Sequence, residues 1–199
     1  MNIFKYLAFS ALMAISVSGA NAQDYDKGSA AYDAGDFKTA FKEWIPLAES
    51  GDALTQLLIG SMYDQGKGVI QSYVEAVKWY RFAADQGNAT AQYFVGASYA
   101  NGKGVEQNDI EAIKWFRLAA DQGDATAQNF IGMIYENGSG SIQNDVIAHM
   151  WYNVGSANGS EDGEKNRGMI EKKMTHEEIA KAQAMAQDCM SSGYKNCGQ

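Results

Sequence analysis

The sequence has little proline, cysteine and histidine, and each scarcity limits what the chain can be. Its 199 residues include one proline, two cysteines and two histidines. Alternating Val and Thr are also scarce, whereas Ala, Gln, Lys, Glu and Met are plentiful, which favours helices over strands. Because 46% of the residues are apolar and 12% are aromatic, the chain has enough apolar surface to form a core. We therefore expect an all-α folded protein.

Basic residues are outnumbered: the formal net charge is −8, from 24 acidic and 16 basic residues. Nucleic acids and anionic membranes attract proteins with a basic face. The charge balance therefore argues against both as partners.

The N-terminus has the pattern of an export signal. Lys5 is followed by an apolar run over residues 6–17, and residues 20–22 read Ala-Asn-Ala, as signal peptidase sites do. The run is too short to cross a hydrocarbon core, which needs roughly 20 residues. We expect residues 1–22 to be removed, leaving a periplasmic or secreted chain without membrane insertion. An uncleaved amphipathic helix is the alternative.

The two cysteines, Cys189 and Cys197, lie close together near the C-terminus. In an exported chain this spacing predicts an intrachain disulfide, with a free thiol or a metal site as weaker alternatives.

Three consecutive segments, residues 51–86, 87–122 and 123–158, align without gaps on a 36-residue period. Each predicts a first helix, A, and a second helix, B, because short polar caps and turn glycines recur in phase. The expected caps of helix A are Asp52, Asn88 and Asp124, and those of helix B are Ser72, Asn108 and Asn144. The expected turn glycines are Gly66, Gly68, Gly102, Gly104, Gly138 and Gly140.

Apolar positions recur in the same phase and predict the core. On helix A they are Ile59, Val95 and Ile131, beside Gly60, Gly96 and Gly132; on helix B they are Ala76, Ala112 and Ala148, followed by Trp79, Trp115 and Trp151. The small residues let two helices approach closely, and the tryptophans are expected to fill the space beyond. Core packing explains this recurrence better than an aromatic ligand site does.

These motifs resemble the Sel-1-like repeat family, a branch of the tetratricopeptide-type solenoids. The glycine loop reads Gly-Lys-Gly-Val at residues 66–69 and 102–105, and departs to Gly-Ser-Gly-Ser at residues 138–141. The family's Ala-Ala also becomes Gly155-Ser156 in the third copy. The resemblance covers residues 51–158 and implies a right-handed α-solenoid of antiparallel helix pairs.

Both flanking regions are expected to cap the array, since a solenoid needs polar-backed ends. Residues 23–50 look like a degenerate helix pair. Residues 159–199 are expected to hold a loop, over residues 158–168, and then a helix that covers the last repeat. Thr175 and Glu178 predict a capping box at the start of this helix, which should run to about Cys189.

Residue types that usually carry catalysis are nearly missing. The histidines, His149 and His176, lack partners at metal-ligand spacing, and no Gly-x-Ser-x-Gly or phosphate-loop motif is present. Lys67 and Lys103, between glycines, are interpreted as solvated turn residues. We expect no catalytic site, no cofactor and no metal.

The resemblance implies a non-catalytic scaffold or adaptor that binds another protein or peptide, and we expect the chain to be a monomer.

 By analogy with tetratricopeptide arrays, helix A lines the concave side, where outward positions differ between repeats. The candidate partner-binding residues are Leu57, Asp64, Tyr93, Asn129, Met133 and Glu136. The acidic pair would favour basic residues in a partner, although neutral drift on a surface gives the same variation.

Two other functions remain open at this point. Cysteine-rich secreted relatives have been described as β-lactamase-like or penicillin-binding, but they carry a cysteine pair in each repeat, and residues 51–158 contain no cysteine. A structural spacer without a discrete ligand groove is the third possibility.

Overall fold

The computed structural model describes residues 19–195, 197 and 198, and this part of the chain is helical without strands. Its ten α-helices are α1 (Gly19–Asp33), α2 (Phe37–Glu49), α3 (Ala53–Gln65), α4 (Tyr73–Asp85), α5 (Ala89–Asn101), α6 (Asp109–Ala120), α7 (Ala125–Asn137), α8 (Asp145–Ala157), α9 (Glu161–Ile170) and α10 (His176–Ser191). A 3-10 turn, Glu171–Lys173, precedes α10. The all-α prediction is confirmed. Most of the predicted signal peptide, residues 1–18, lies outside the described residues.

The helices stack in chain order as an α-solenoid. Each helix from α1 to α8 packs against the next, α10 packs back on α8, and the closest packing is within the pairs α3–α4, α5–α6 and α7–α8. These pairs are helices A and B of repeats 1, 2 and 3. Among the described residues, no helix is both long and apolar enough to span a membrane.

The predicted helix caps are confirmed in all three repeats. The Asp52 carboxylate accepts from the Thr55 N–H at 2.7 Å at the start of α3, and the Asn108 side chain accepts from the Glu111 N–H at 3.0 Å at the start of α6. Such side chains satisfy N–H groups that have no partner within the first helical turn. The predicted Thr175–Glu178 capping box also forms, at the start of α10.

The glycine loop of each repeat packs on helix B of the preceding repeat. Gly104 has a φ of +75°, and a Cβ there would overlap the carbonyl oxygen of Tyr73 at the start of α4. Lys67, in the first loop, donates to the Tyr32 hydroxyl at 2.7 Å and lies 5.0 Å from the centre of the Phe37 ring. The prediction that Lys67 is only a solvated turn residue is therefore wrong, because its ammonium packs over aromatic rings.

Glycines at the helix A crossing receive an aromatic ring from helix B. A Cβ at Gly60 would lie 2.6 Å from the Tyr80 ring, and a Cβ at Gly132 would lie 2.5 Å from the Tyr152 ring. Ile59 beside Gly60 is fully buried, as predicted. The expected close approach is present, but the ring that makes it belongs to the residue after the repeated tryptophan.

The region after repeat 3 differs from the prediction. Residues 158–168 were expected to be a loop, but α9 begins at Glu161 and is capped by Ser160, whose hydroxyl accepts from the Gly163 N–H at 3.0 Å. Ser160 lies one period after Asp124, so α9 occupies the place of a fourth helix A. Polar and glycine-rich composition suggested a loop, whereas the cap and the packing against α8 stabilise a helix.

Candidate protein-binding surface

The two histidines do not form a reactive centre. His149 is fully buried in α8, and its Nε2 lies 2.8 Å from the Glu171 Oε1, which ties the 3-10 turn to α8. His176 is exposed on the first turn of α10. In the described part of the chain, no group of three or more His, Cys, Asp or Glu residues is placed to hold a metal ion.

Three candidate residues on helix A do not face solvent. Leu57, Tyr93 and Asn129 are all buried, so the expectation that they point outward is wrong. The Tyr93 ring lies 5.8 Å from the Phe116 ring. The Asn129 side chain accepts from Asn166 of α9 at 2.9 Å. Helix A is covered on this side by its own helix B and by the next element of the stack, which heptad spacing alone does not show.

Glu136 and Asp64 are placed beside core tyrosines. Glu136 accepts from the Tyr152 hydroxyl at 2.6 Å and from Lys173 at 3.0 Å. Burial, followed by the nearby Glu136, raises the pKa of Tyr152 well above its ordinary value. Burial raises the pKa of the Asp64 carboxyl, and the Lys103 charge opposes this rise.

The two carboxylates occur in the repeats that have a helix B tyrosine. Repeats 1 and 3 have a helix B tyrosine together with a helix A carboxylate, whereas repeat 2 has Phe116 and Ala100 at the same two positions. The hydroxyl and the carboxylate are thus present together or absent together. A structural bond is present only in repeat 3, where Glu136 accepts from the Tyr152 hydroxyl; no hydrogen bond joins Tyr80 to Asp64 in repeat 1. Of the six candidates, Met133 is the most exposed, at 37%.

Exposed apolar side chains instead recur on helix B. Val74 and Phe82 of α4 are 63% and 45% exposed, and Ile110 and Leu118 of α6 are 58% and 46% exposed. Residues eight apart share a helix face, so each pair lies on one side of its helix. We name these four residues the helix B face. Lysines lie between them in sequence, and each pairs with a glutamate three residues before it.

In repeat 3 the same face is covered by the chain itself. Val154, one period after Leu118, is fully buried, and α10 packs on α8. Ile147 and Met150 stand one period after Glu111 and Lys114, so apolar residues replace an ion pair where the C-terminal region lies. A covered helix face needs such residues, because burying a charged pair costs desolvation energy.

The predicted cysteine pair belongs to this cover. The sulfurs of Cys189 and Cys197 lie at bonding distance, and both residues are buried. Arg117 of α6 donates to the Cys197 carbonyl at 2.9 Å and lies 5.4 Å from the centre of the Trp151 ring. The disulfide-closed tail is thus anchored to two successive B helices.

An open cleft lies beside the helix B face, between α2 and α4. Its volume is about 380 Å³, and its lining residues are Ala48, Glu49, Gln56, Lys78, Trp79 and Phe82. The Trp79 and Phe82 rings meet edge to face with centroids 5.6 Å apart. An apolar wall with a few polar groups at its edge is typical of binding sites.

A glutamine ladder forms the floor of this cleft and recurs in each repeat. The Gln56 Nε2 donates to the Ala48 carbonyl at 3.0 Å, and the Gln86 Nε2 donates to the Gln56 Oε1 at 2.7 Å. Gln92 and Gln128 repeat the first bond, at 3.1 Å and 3.0 Å. Sequence reasoning missed this ladder, although a glutamine at the same position of all three repeats was the signal.

Comparison with known proteins is consistent with this geometry. The family model described as "Sel1 repeat" matches residues 53–88, 89–124 and 125–160. A search of curated proteins gives no match.

Two solved structures are similar. One is a protective antigen present in uropathogenic Escherichia coli strains, displaying an SLR fold, with 30% identity and a TM-score of 0.79 over 88% of this chain and 40% of that chain. The other is a Sel1 repeat protein from Oxalobacter formigenes, with 29% identity and a TM-score of 0.67 over 85% of this chain and 77% of that chain. This chain therefore spans less than half the length of the antigen. Since the family model matches more than half of its residues, the chain belongs to the Sel1 repeat family.

Proposed function

We propose that the chain is a non-catalytic scaffold that binds a partner protein through the helix B face of repeats 1 and 2. The observation that carries this proposal is that the same surface differs in exposure among the three repeats. It is solvent-exposed and apolar in the first two and lies under the chain's own C-terminal region in the third. A face that accepts a helical cover once is suited to accept a partner elsewhere.

The family supports a protein-interaction role in general, since Sel1 repeats act as interaction modules. The helix A side is the weaker choice. Three of its six candidates are buried, and Glu136 is already bonded to Tyr152 and Lys173.

Replacing Val74, Phe82, Ile110 and Leu118 by serine is expected to remove partner binding. Each side chain that a partner would bury contributes on the order of 1 kcal/mol, so the combined loss of affinity should exceed about 100-fold. The measurement is affinity capture with the wild-type chain and the variant, followed by titration of the captured protein.

The matched control replaces Ile70 and Ile142 by serine. These isoleucines are more exposed than any residue of the helix B face, but they lie in the loops between helices A and B. A partner kept by this control and lost by the fourfold variant supports the proposed surface. Equal capture by both variants, with circular dichroism unchanged, would show that another surface binds.

We also propose that the chain is exported and works in the bacterial envelope or outside the cell. The buried cysteine pair at bonding distance supports this location, because such bonds persist in oxidising compartments. Mass spectrometry of periplasmic and secreted fractions should find a mature chain that begins at Gln23. A chain that keeps residues 1–22 and stays in the cytoplasm would contradict the proposal.

A further inference from the structure

The C-terminal tail shows what the space between successive repeats can hold. The Tyr194 ring lies over Gly123, between repeats 2 and 3, with its Cε2 atom 3.5 Å from the position of a Cβ on that glycine. The Tyr194 hydroxyl donates to the Asn158 Oδ1 at 2.9 Å. An aromatic ring and its hydroxyl thus occupy this interval together.

The corresponding space is open one and two periods earlier. A Cβ on Gly51 or on Gly87 would meet no atom within 4 Å, although both glycines have the same left-handed backbone as Gly123. The cleft between α2 and α4, which the Trp79 and Phe82 rings border, is also lined by Glu49, two residues before Gly51. We call the space at Gly51, between α2 and repeat 1, the first interval, and the space at Gly123 the third interval. The first interval therefore combines an open glycine with an aromatic wall.

The hydrogen-bonding side chain at Asn158 has a counterpart two periods earlier. Asn158 donates through its Nδ2 to the Gln128 Oε1 at 2.8 Å, and its Oδ1 accepts from Tyr194. Gln86 stands two periods before Asn158 and donates through its Nε2 to the Gln56 Oε1 at 2.7 Å. The Gln86 Oε1 thus corresponds to the oxygen that accepts the tyrosine hydroxyl in the third interval.

We propose that the first interval binds a tyrosine side chain from a segment of the partner protein. The ring would lie over Gly51 against Trp79 and Phe82, and its hydroxyl would donate to the Gln86 Oε1. Glu49 and Lys78 at the rim favour polar residues beside the tyrosine, in contrast to Met150 under the tail. This inference rests on the proposed function and names the part of the partner that the surface recognises.

The test uses a probe of known chemistry, a disulfide-closed peptide with the sequence of residues 189–199. It is titrated into the ¹⁵N-labelled mature chain, residues 23–199, whose own tail is intact, and the Trp79 indole N–H and the Gly51 amide are followed by NMR. Both signals are expected to shift. A Tyr194→Ala peptide should bind at least about tenfold more weakly, and a Tyr194→Phe peptide about two- to tenfold more weakly, because one hydrogen bond is lost.

Variants of the protein locate the site. Phe82→Ala should weaken peptide binding about fivefold or more, whereas Leu118→Ala, the same position of repeat 2, should leave the Trp79 and Gly51 shifts unchanged. Equal binding of the tyrosine and alanine peptides, or no shift at Trp79 and Gly51, would overturn the inference. So would a concentration-dependent dimer that Phe82→Ala abolishes, since the occupant would then be a second copy.

The capture experiment separates this inference from the proposed function. If the peptide fails but the partner is still lost from the fourfold variant, the helix B face binds without a tyrosine in the cleft. If the peptide binds but capture does not depend on the helix B face, the cleft recognises tyrosine and the proposed function is wrong.

Discussion

Replacing Gly104 by alanine is expected to destabilise the chain by about 2–5 kcal/mol, whereas the same change at Gly87 should cost only about 1–2 kcal/mol. Both glycines have a left-handed backbone, with φ of +75° and +88°. The new methyl group therefore meets the same backbone strain at both sites. At Gly104 it also overlaps the Tyr73 carbonyl, while at Gly87 it meets no atom within 4 Å.

The difference between the two losses of unfolding free energy measures how much the contact between the glycine loop and helix B of the preceding repeat stabilises the chain. Urea denaturation followed by circular dichroism gives both free energies of unfolding. Gly140→Ala should be intermediate, because its nearest contact is the Asp109 Cβ at 2.7 Å, a smaller overlap than the one with the Tyr73 carbonyl oxygen at Gly104. Equal losses at Gly87 and Gly104 would show that the loop does not press on helix B.

Removing the disulfide, with Cys189→Ala and Cys197→Ala together, is expected to cost about 2.5 kcal/mol of unfolding free energy. The bond joins residues eight apart in sequence, and the loss of this cross-link gives the unfolded chain more freedom. The freed tail would also leave Trp151 less covered, since the Arg117 guanidinium over its ring donates to the Cys197 carbonyl and Gly198 lies beside its indole nitrogen. The expected signature is a lower denaturation midpoint and a red shift of tryptophan fluorescence.

Two controls separate the cross-link from the contacts of the tail. Reduced wild-type protein should unfold at the same midpoint as the double variant. Tyr194→Ala keeps the cross-link and loses the ring over Gly123 and the bond to Asn158, so its cost should be smaller, about 1–2 kcal/mol. A double variant as stable as the oxidised wild type would contradict the assigned role of the tail.

Local signals in the sequence were sufficient for the repeat itself. Caps such as Asp52 and Asn108, turn glycines such as Gly66 and the capping box at Thr175 depend on neighbouring residues, and all of them form. The helix α9 was missed because its composition resembles a loop. Its cap, Ser160, was nevertheless in phase with those of the earlier repeats.

The binding surface was harder to predict because exposure depends on what packs from outside the repeat. Tyr93 was expected to point outward, yet rings from the same and the following repeat surround it. Val154 and Leu118 hold the same repeat position, but the C-terminal region buries the first and leaves the second in solvent. Such differences arise from contacts between elements distant in sequence, which the periodic pattern does not contain.

The apolar residues under the tail restrict where further repeats can be added to the array. Ile147 and Met150 make repeat 3 dependent on the C-terminal region, whereas repeats 1 and 2 carry ion pairs at those positions. A duplicated copy of repeat 2 could be inserted before repeat 3, because loops and glutamines would meet the same neighbours. A copy added after repeat 3 would separate the tail from the apolar residues of α8 on which it packs. A longer array is therefore expected to tolerate new repeats between existing ones and not after repeat 3.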